Sequence, residues 1–370
     1  MDKILILSCS TGEGHNSAAR AIQAVLDQRG VACERKDPVE FQSEKMKQLV
    51  SDLYNNTIRT KPGVFGAVYK LGDMYSNSRL PSPVYWATAH YSGALRNYIL
   101  DNGFTAVICT HLYGMEAMTA IWKKGDFSIP FYAVMTDYTS IPFLEETAPN
   151  AFFTPTQEST EHLIEHGFSS DQVFLSGIPV DPAFRDHPSK DSARETLEIP
   201  QDCHVFLVMT GGVGCENMEG LCNELLSALP EDGHVFVLTG KNEELRDRLN
   251  QKYGHIPALH TVEFTRQVPL YMAAADVVLT KPGGLSTTET AVANVPLVHI
   301  HAIPGCETCN ARFFSEHGMS LWAKNDEEAV IYAKALGYQQ ESADRMKALQ
   351  RRYVNPSAAD FIVDKVVSSK

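Results

Sequence analysis

The feature that most constrains the fold of this chain is an alternation of short apolar runs with helical patterns, repeated in two successive halves. Each apolar run is only a few residues long and is followed by glycine or small polar residues before an amphipathic stretch begins. Short buried strands that alternate with helices are typical of parallel sheets. The pattern therefore predicts an α/β protein with two Rossmann-like, doubly wound domains.

Strands are predicted in the first half at residues 3–8, 105–111, 129–137, 150–155 and 172–177, and in the second half at 204–212, 234–240, 275–281 and 295–302. Residues 179–202 contain four prolines and many charged side chains, which predicts an exposed interdomain linker. The N-terminal domain is then residues 1–178 and the C-terminal domain is 203–345. Residues 346–370 form a helical segment that can pack back on the N-terminal domain. Ligands of such sheets bind beyond the carboxyl ends of the strands, so the site is expected in a cleft that the two domains face.

Bulk composition excludes several classes of function. The 370 residues carry a net charge of −13 without a run rich in lysine or arginine, which argues against binding to nucleic acid. No apolar segment is long enough to span a bilayer and no signal-peptide cleavage region is present, so a cytoplasmic protein is predicted. The eight scattered cysteines are typical of reduced thiols. Cys306 and Cys309 form one CxxC without further zinc ligands, and they are interpreted as inert, with no metal site.

A glycine loop follows the first predicted strand. Gly12 and Gly14 allow a tight turn, and His15 stands where the next helix begins. The pattern is close to the dinucleotide fingerprint G-x-G-x-x-G, but Ser17 replaces the third glycine, which leaves an NAD-binding alternative open. His15 is a candidate catalytic residue because a glycine loop and a helix start hold it on both sides.

Polar residues also follow other strands of the first half. Asp137 comes directly after the apolar run that ends in VMTD, where desolvation raises the pKa of a carboxyl group toward the range of a base. Thr110 and His111 follow a third strand in the same way. The alternative for each of them is a capping or turn residue.

The stretch KPGGLSTTET, from Lys281 to Thr290, follows the apolar run ADVVLT. Gly283 and Gly284 let a ligand approach the backbone, and Ser286, Thr287 and Thr288 are predicted to provide N-cap oxygens. The unpaired N–H groups and the dipole of a helix that begins here would bind a phosphate.

Two carboxylates, Glu289 and Glu307, belong to the segments at this predicted anion site. Ionised carboxylates accept strong hydrogen bonds from the hydroxyls of a ribose or a sugar. The combination predicts a nucleotide sugar as the ligand.

The same motifs, in the same order, resemble one family. SxSTGEGHNSAA, VMTDY, SGIPV, the glycine loop near residue 211, LTGKN and KPGGLSTTETAVANVPLVHIHAIPGCETCN resemble the diacylglycerol glycosyltransferases of glycosyltransferase family 28. This family includes the bacterial glucosyl- and plant galactosyl-diacylglycerol synthases. The resemblance covers nearly the whole chain. It implies a GT-B fold, a UDP-sugar donor in the C-terminal domain, an acceptor in the N-terminal domain, inversion at the anomeric carbon, and no cofactor or metal.

The resemblance also implies a role for each matching residue. His15 and Asp137 would be catalytic, with His15 favoured as the base and Asp137 orienting it or serving as the base itself. The residues implied to hold or line the UDP-sugar site are Gly14, Gly211, Gly212, Phe264, Gly283, Gly284, Ser286, Thr287, Glu289, Glu307 and Asn310. Among these, Gly283, Gly284, Ser286 and Thr287 would hold the diphosphate, Glu289 the ribose, and Glu307 with Asn310 the donor sugar.

The chain departs from the family pattern at two places. It has Pro304-Gly305-Cys306-Glu307 where members commonly have PGQE, and YTSIPFLEE after the TD motif where many have His and Trp. The first departure bears on which sugar is used and the second on which acceptor.

Residues 51–100 bear on the acceptor, because they carry eight aromatic, five basic and two acidic side chains in an otherwise acidic chain. This mixture favours contact with an anionic membrane surface, and the alternative is a helical insertion whose aromatics are core.

The sequence therefore predicts an inverting, metal-independent hexosyltransferase that acts on a diacylglycerol-type lipid at the cytoplasmic membrane face. The alternatives are an isoprenoid-linked or soluble acceptor, and a UDP-sugar sensor without turnover.

Overall fold

The computed structural model describes residues 2–9, 13–42, 81–209 and 217–368. The chain divides into two compact units. The first comprises Met1–Pro182, Ile303–Cys306 and Asn355–Lys370, and the second comprises Ala183–Ala302 and Glu307–Val354. Each unit is built on its own parallel sheet.

In the first unit the strands are β1 (Lys3–Leu7), β2 (Ala32–Lys36), β3 (Ala106–Cys109), β4 (Phe131–Val134), β5 (Ala151–Thr154) and β6 (Val173–Leu175). They form one sheet in the order β2-β1-β3-β4-β5-β6, and every neighbouring pair is parallel. The helices between them are α1 (Glu13–Gln28), α2 (Pro83–Ala89), α3 (Ser92–Asp101), α4 (Leu112–Trp122) and α5 (Gln157–Glu165).

Both faces of this sheet are covered, which explains the continuous apolar runs of its central strands. Along β1, Ile4 and Ile6 point into one core and Leu5 and Leu7 into another. Side chains alternate between the two faces of a strand, so a strand buried on both faces needs an apolar residue at every position.

In the second unit the strands are β7 (His204–Met209), β8 (Gly233–Gly240), β9 (Leu259–Glu263), β10 (Val277–Thr280), β11 (Leu297–His299) and β12 (Leu321–Trp322). Their order is β12-β11-β10-β7-β8-β9, again with parallel pairs throughout. The helices are α6 (Lys190–Thr196), α7 (Met218–Ala228), α8 (Glu243–Tyr253), α9 (Val268–Ala274), α10 (Gly284–Val292), α11 (Cys306–Glu316), α12 (Asp326–Tyr338) and α13 (Gln340–Tyr353). Two doubly wound α/β sheets confirm the predicted fold class.

Most of the segment predicted as an exposed linker is grouped with the second unit, from Ala183 onward, and contains α6. Arg194 on this helix is buried, and its guanidinium donates to the carbonyls of Ala274, Gln201 and Cys203. It also donates to the Asp276 carboxylate at 2.8 Å. A buried arginine whose donors are satisfied in this way fixes α6 against the end of the sheet.

The last helix of the chain, α14 (Ala358–Ser368), belongs to the first unit. Ile362 and Val363, on the apolar face of this helix, pack on the core around Ile4 and Ile6. Before this helix, Asn355 Nδ2 donates to the Ser176 carbonyl at 2.8 Å. Among the residues that the structure describes, no helix is both long enough and apolar enough to cross a bilayer.

Candidate functional site

Each sheet has a topological switch point, where neighbouring strands lead the chain away in opposite directions. In the first sheet this point lies between β1 and β3, and in the second it lies between β7 and β10. Ligands of open parallel sheets bind beyond the carboxyl ends of the strands at such points. The loops that follow these strands therefore define one candidate region in each unit.

His15 lies beyond β1, in the first turn of α1 and one residue after Gly14. Its ring nitrogen Nδ1 is 2.9 Å from the carbonyl oxygen of Thr110 and 2.9 Å from Oγ1 of Thr136. A carbonyl oxygen can only accept, so Nδ1 carries a proton and donates it to Thr110. In the neutral ring, the lone pair that can take up a proton is then on Nε2.

The surroundings of His15 also set its charge. Burial lowers the pKa of His15 below its ordinary value of 6.5, while the charge of Asp137 and the hydrogen bond to Thr110 oppose this shift in part. The ring is therefore neutral at pH 7. A neutral imidazole with its lone pair on Nε2 has the state that a general base needs.

Asp137 lies beyond β4 and lines the same small cavity as His15. The cavity has a volume of about 20 Å³, and Thr110, His111 and Thr136 also line it. The structure thus brings together the two residues that the sequence predicted as catalytic. Thr136 was not singled out, and the signal that could have found it is its place directly before Asp137 at a strand end.

His111 is the N-cap of α4, and its Nδ1 accepts a hydrogen bond from the backbone N–H of Tyr113 at 3.1 Å. Its ring meets that of His15 edge-on, with 4.6 Å between the ring centroids. Burial, and next the neighbouring His15, hold the pKa of His111 well below its ordinary value. Two neutral imidazoles of opposite tautomer therefore share this cavity.

In the second unit, α10 begins at Gly284 just beyond β10, with Gly283 as its N-cap. No side chain caps its first turn, so the prediction that Ser286, Thr287 and Thr288 provide N-cap oxygens is wrong. These residues lie inside the helix, where the Thr288 hydroxyl donates back to the Gly284 carbonyl. An uncapped helix N-terminus offers backbone N–H groups and a positive dipole end, which suits a phosphate.

Exposure separates the predicted residues of α10 into two groups. Gly283, Ser286 and Glu289 are partly exposed, whereas Gly284 and Thr287 are buried. Positions three apart lie on one face of a helix, so Ser286 and Glu289 share the accessible face.

Thr287 faces the interior of the domain. Its Oγ1 is 3.0 Å from Nε2 of His299, whose Nδ1 is 3.0 Å from Oγ of Ser320. Burial lowers the pKa of His299 to about 3, so this ring stays neutral and links α10 to β11 and to the residue before β12. The Thr287 hydroxyl is thus part of a buried link, which corrects the predicted contact with the diphosphate.

Glu307 and Asn310 lie on α11, where Glu307 is partly buried in the first turn and Asn310 is fully buried. Asn310 Nδ2 donates to the Pro282 carbonyl at 3.0 Å. Asn310 therefore supports the Pro-Gly-Gly turn before α10. That Glu307 and Asn310 face the donor sugar stays a prediction.

Phe264 follows β9 and is 58% exposed, with Lys241 Nζ 5.5 Å from its ring centroid. An exposed ring beyond a strand end is a flat apolar surface on which a base can stack. Gly211 and Gly212, which the sequence places after β7, lie outside the described residues.

One carboxylate connects two further loops of the second unit. Asp326, at the start of α12, has Oδ1 2.6 Å from His301 Nε2, and its Oδ2 accepts from Asn217 Nδ2 at 2.7 Å. His301 follows β11 with a positive φ of 46°, and Asn217 precedes α7 with a φ of 54°. Left-handed backbone at non-glycine residues persists where the surroundings enforce it, and Asp326 supplies that constraint.

In the part of the chain that the structure describes, no three His, Cys, Asp or Glu side chains are grouped to hold a metal ion.

Two family models match the chain. Residues 15–180 match the model described as monogalactosyldiacylglycerol (MGDG) synthase, and residues 147–367 match the model described as UDP-N-acetylglucosamine 2-epimerase. Among curated proteins, the chain is similar to a processive diacylglycerol beta-glucosyltransferase of Bacillus cereus, with 23% identity over 99% of this chain and 93% of that protein.

Two solved structures show the fold. MurG of Acinetobacter baumannii is 16% identical with a TM-score of 0.64, and the match covers 99% of both chains. UDP-GlcNAc 2-epimerase of Neisseria meningitidis, solved with UDP-GlcNAc bound, is 15% identical with a TM-score of 0.63, and the match covers 99% of this chain and 100% of that one. The architecture is that of the GT-B fold, as the sequence predicted.

Proposed function

We propose that this chain transfers a hexose from a UDP-sugar to diacylglycerol, with inversion and without a metal. The chain belongs to the diacylglycerol glycosyltransferase family, within glycosyltransferase family 28, and is a UDP-sugar-dependent glycosyltransferase. Over residues 147–367, more than half of its length, the chain also belongs to the family described as UDP-N-acetylglucosamine 2-epimerase. The Bacillus cereus relative is named a processive diacylglycerol beta-glucosyltransferase. Glucose is therefore the first donor sugar to test, and the transfer of more than one sugar to each lipid is to be tested with it.

The observation that carries the proposal is the state of His15. Its Nδ1 proton is held by the Thr110 carbonyl, and its lowered pKa keeps the ring neutral. Nε2 can therefore take the proton of an acceptor hydroxyl as that oxygen attacks the anomeric carbon. The bond between this carbon and the diphosphate oxygen breaks in the same displacement, UDP leaves, and the configuration at the carbon inverts.

Asp137 has an electrostatic part in this step. When Nε2 takes up the proton, the ring becomes an imidazolium, and the charge of Asp137 in the same cavity stabilises it. Thr136 and Thr110 keep the ring in one orientation through Nδ1. This division of roles makes His15 the base and Asp137 the group that raises its basicity in the transition state.

The donor is assigned to the second unit. The backbone N–H groups at the start of α10 would bind the diphosphate of the UDP-sugar and stabilise the charge on departing UDP. Glu289, on the accessible face of the same helix, would accept from the ribose hydroxyls. The exposed ring of Phe264, beyond β9, would be a surface for the uracil.

A lipid acceptor places the protein at a membrane surface, and we propose the inner face of the cell membrane. The described part of residues 51–100 supports this through α2, where Trp86 is 65% exposed. The neighbouring Tyr85 ring has Lys123 Nζ 4.7 Å from its centroid. An exposed tryptophan beside a basic side chain is suited to the headgroup region of an anionic membrane. Residues 51–80 of the predicted membrane segment lie outside the described residues.

The test is the turnover of His15→Ala with UDP-glucose and diacylglycerol liposomes, measured as UDP release. We expect a decrease of about 10²- to 10⁴-fold, because a general base contributes about this factor. Binding of UDP, measured by calorimetry, is expected to be unchanged. His166→Ala is the matched control, since His166 is an exposed histidine at the end of α5. Near-normal turnover of His15→Ala would remove His15 as the base.

A further inference from the structure

Two carboxyl groups of the first unit lie next to each other near α2 and have no part in the proposed reaction. Glu116, on α4, has no exposed surface, and neither of its carboxyl oxygens has a hydrogen-bond partner among the described residues. The neighbouring Glu146, on the loop after β4, has one buried oxygen, Oε1, that likewise has no partner within the described residues. Two ionised carboxylates repel each other, and burying them without donors is costly. The pair is therefore stable only while it holds a proton.

Glu146 also attaches α2 to the rest of the unit. Its other oxygen, Oε2, accepts a hydrogen bond at 2.9 Å from the backbone N–H of Ser82, which is the N-cap of α2. The helix packs on α4, yet of its seven residues, all of which the structure describes, Thr88 alone is buried. A short helix that buries so little surface gains little from apolar packing. The attachment of α2 therefore depends on the polar contact with Glu146.

Two further titratable groups face the carboxyl pair. Burial, and next the neighbouring Glu116 and Glu146, raise the pKa of Tyr85 on α2. On α4, the charge of Lys123 opposes part of the rise in the pKa of Glu116, and Lys123 Nζ is 4.7 Å from the centroid of the Tyr85 ring. Among the described residues, neither group donates a hydrogen bond to Glu116. The lysine therefore reduces the need for a proton without removing it.

The pair also lies between α2 and the catalytic cavity. Met115, which precedes Glu116, and Leu144, two residues before Glu146, both line that cavity. The same α2 carries Trp86, which is 65% exposed. A displacement of α2 would therefore change both the surface around Trp86 and the support behind two cavity-lining side chains.

We propose that Glu116 and Glu146 form a proton-dependent latch, in which α2 stays attached to α4 while the pair holds a proton and is released when the proton is lost. Release exposes Glu116 to water, where its pKa returns from about 10 toward 4.5. The attached state therefore binds the proton more tightly, so attachment is strongest below pH 4.5 and weakens until about pH 10. Within this interval the equilibrium constant for release rises by up to about tenfold per pH unit.

The latch is tested by amide hydrogen exchange of the full chain, read by mass spectrometry between pH 5.5 and 8.5. In the unsubstituted protein, the protection factor of α2 is expected to fall by up to about tenfold per pH unit. It is also expected to be lower at every pH than that of the buried strand β3, because α2 opens locally. In Glu116→Gln, which does not titrate, the protection factor of α2 is expected not to change with pH. Glu165→Gln, at an exposed glutamate of α5, is the matched control and is expected to retain the pH dependence.

Three outcomes would overturn the latch. In the unsubstituted protein, these are a protection factor of α2 that does not change with pH, and amides of α2 that are as protected as those of β3. The third is an equal pH dependence in Glu116→Gln. The first two need no variant, so they decide the question even if Glu116→Gln does not fold. The experiment contains neither donor nor lipid, and its result is therefore independent of the proposed function.

Discussion

Replacing Glu116 by glutamine is expected to stabilise the protein, and to do so increasingly as the pH rises. Glu116 lies on α4 with no exposed surface, and neither of its carboxyl oxygens receives a hydrogen bond from any described residue. Burial, and next the neighbouring Glu146, raise the pKa of Glu116 from 4.5 to about 10. The carboxyl group of Glu116 is therefore protonated at neutral pH.

The magnitude follows from the difference in pKa between the folded and unfolded states. The folded state binds a proton at Glu116 that the unfolded state releases above pH 4.5, so the stability from this group is complete below pH 4.5 and declines until about pH 10. Each pH unit in this interval costs about 1.4 kcal/mol, which amounts to about 3 kcal/mol at pH 7. Glutamine has nearly the shape of a protonated glutamate and does not titrate.

The assay is urea unfolding of the unsubstituted protein and of Glu116→Gln at several values between pH 5.5 and 8.5. The difference in the free energy of unfolding is expected to grow from about 1 to about 5 kcal/mol in favour of the variant. Glu165→Gln, which changes an exposed glutamate of α5, serves as the control. Its free energy of unfolding is expected to change with pH in the same way as that of the unsubstituted protein. A difference for Glu116→Gln that does not change with pH would refute the reasoning.

Three further predictions concern the donor region, the fold and the base. Glu289→Ala is expected to weaken UDP-sugar binding about 10- to 100-fold with little change in Tm, because Glu289 is partly exposed; unchanged binding in calorimetry would contradict its role. Arg194→Met is expected to destabilise the second unit by about 3–5 kcal/mol in urea unfolding, because it leaves Asp276 without this partner, and a loss below about 1 kcal/mol would argue against the account of α6. The turnover rate is expected to fall on acidification with an apparent pKa below 6.5, because protonation of His15 removes the base; an acid limb centred above that value would contradict the assignment.

The strands that sequence patterns did not predict share one physical property. β2, β9 and β12 are all at the edge of a sheet, and their residues are largely exposed or only partly buried. An edge strand needs no continuous apolar run, so sequences such as ACERK carry little signal of a strand. The central strands, buried on both faces, were all identified.

The candidate site was predictable where a residue follows a buried strand. Asp137 comes just after β4, and His15 lies in the first turn of the helix that follows β1. Parallel strands bring their carboxyl ends to one edge, so the two residues meet in one cavity. The structure adds the contacts of Nδ1 of His15 with the Thr110 carbonyl and the Thr136 hydroxyl, which fix the tautomer of the ring and which no spacing in the sequence reveals.

Thr287 and Asn310 show why other predictions needed the structure. Both residues lie in the segments that the sequence assigned to the donor, but their side chains are buried and contact His299 and the Pro282 carbonyl. Which side of a short helix faces solvent depends on where it begins, and α10 begins at Gly284 because Gly283 serves as its N-cap. A hydroxyl-rich sequence after Pro-Gly-Gly cannot distinguish this arrangement from one capped by Ser286.

The central claim is that this chain transfers a hexose from a UDP-sugar to diacylglycerol. The most direct measurement incubates the full chain with UDP-glucose and diacylglycerol liposomes, quantifies UDP, and determines by NMR the anomeric configuration of the lipid product. The account predicts UDP release that depends on the liposomes and a glucosyl-diacylglycerol with a β linkage. Epimerised UDP-N-acetylglucosamine in a parallel incubation with that nucleotide sugar, together with no sugar on the lipid, would contradict it.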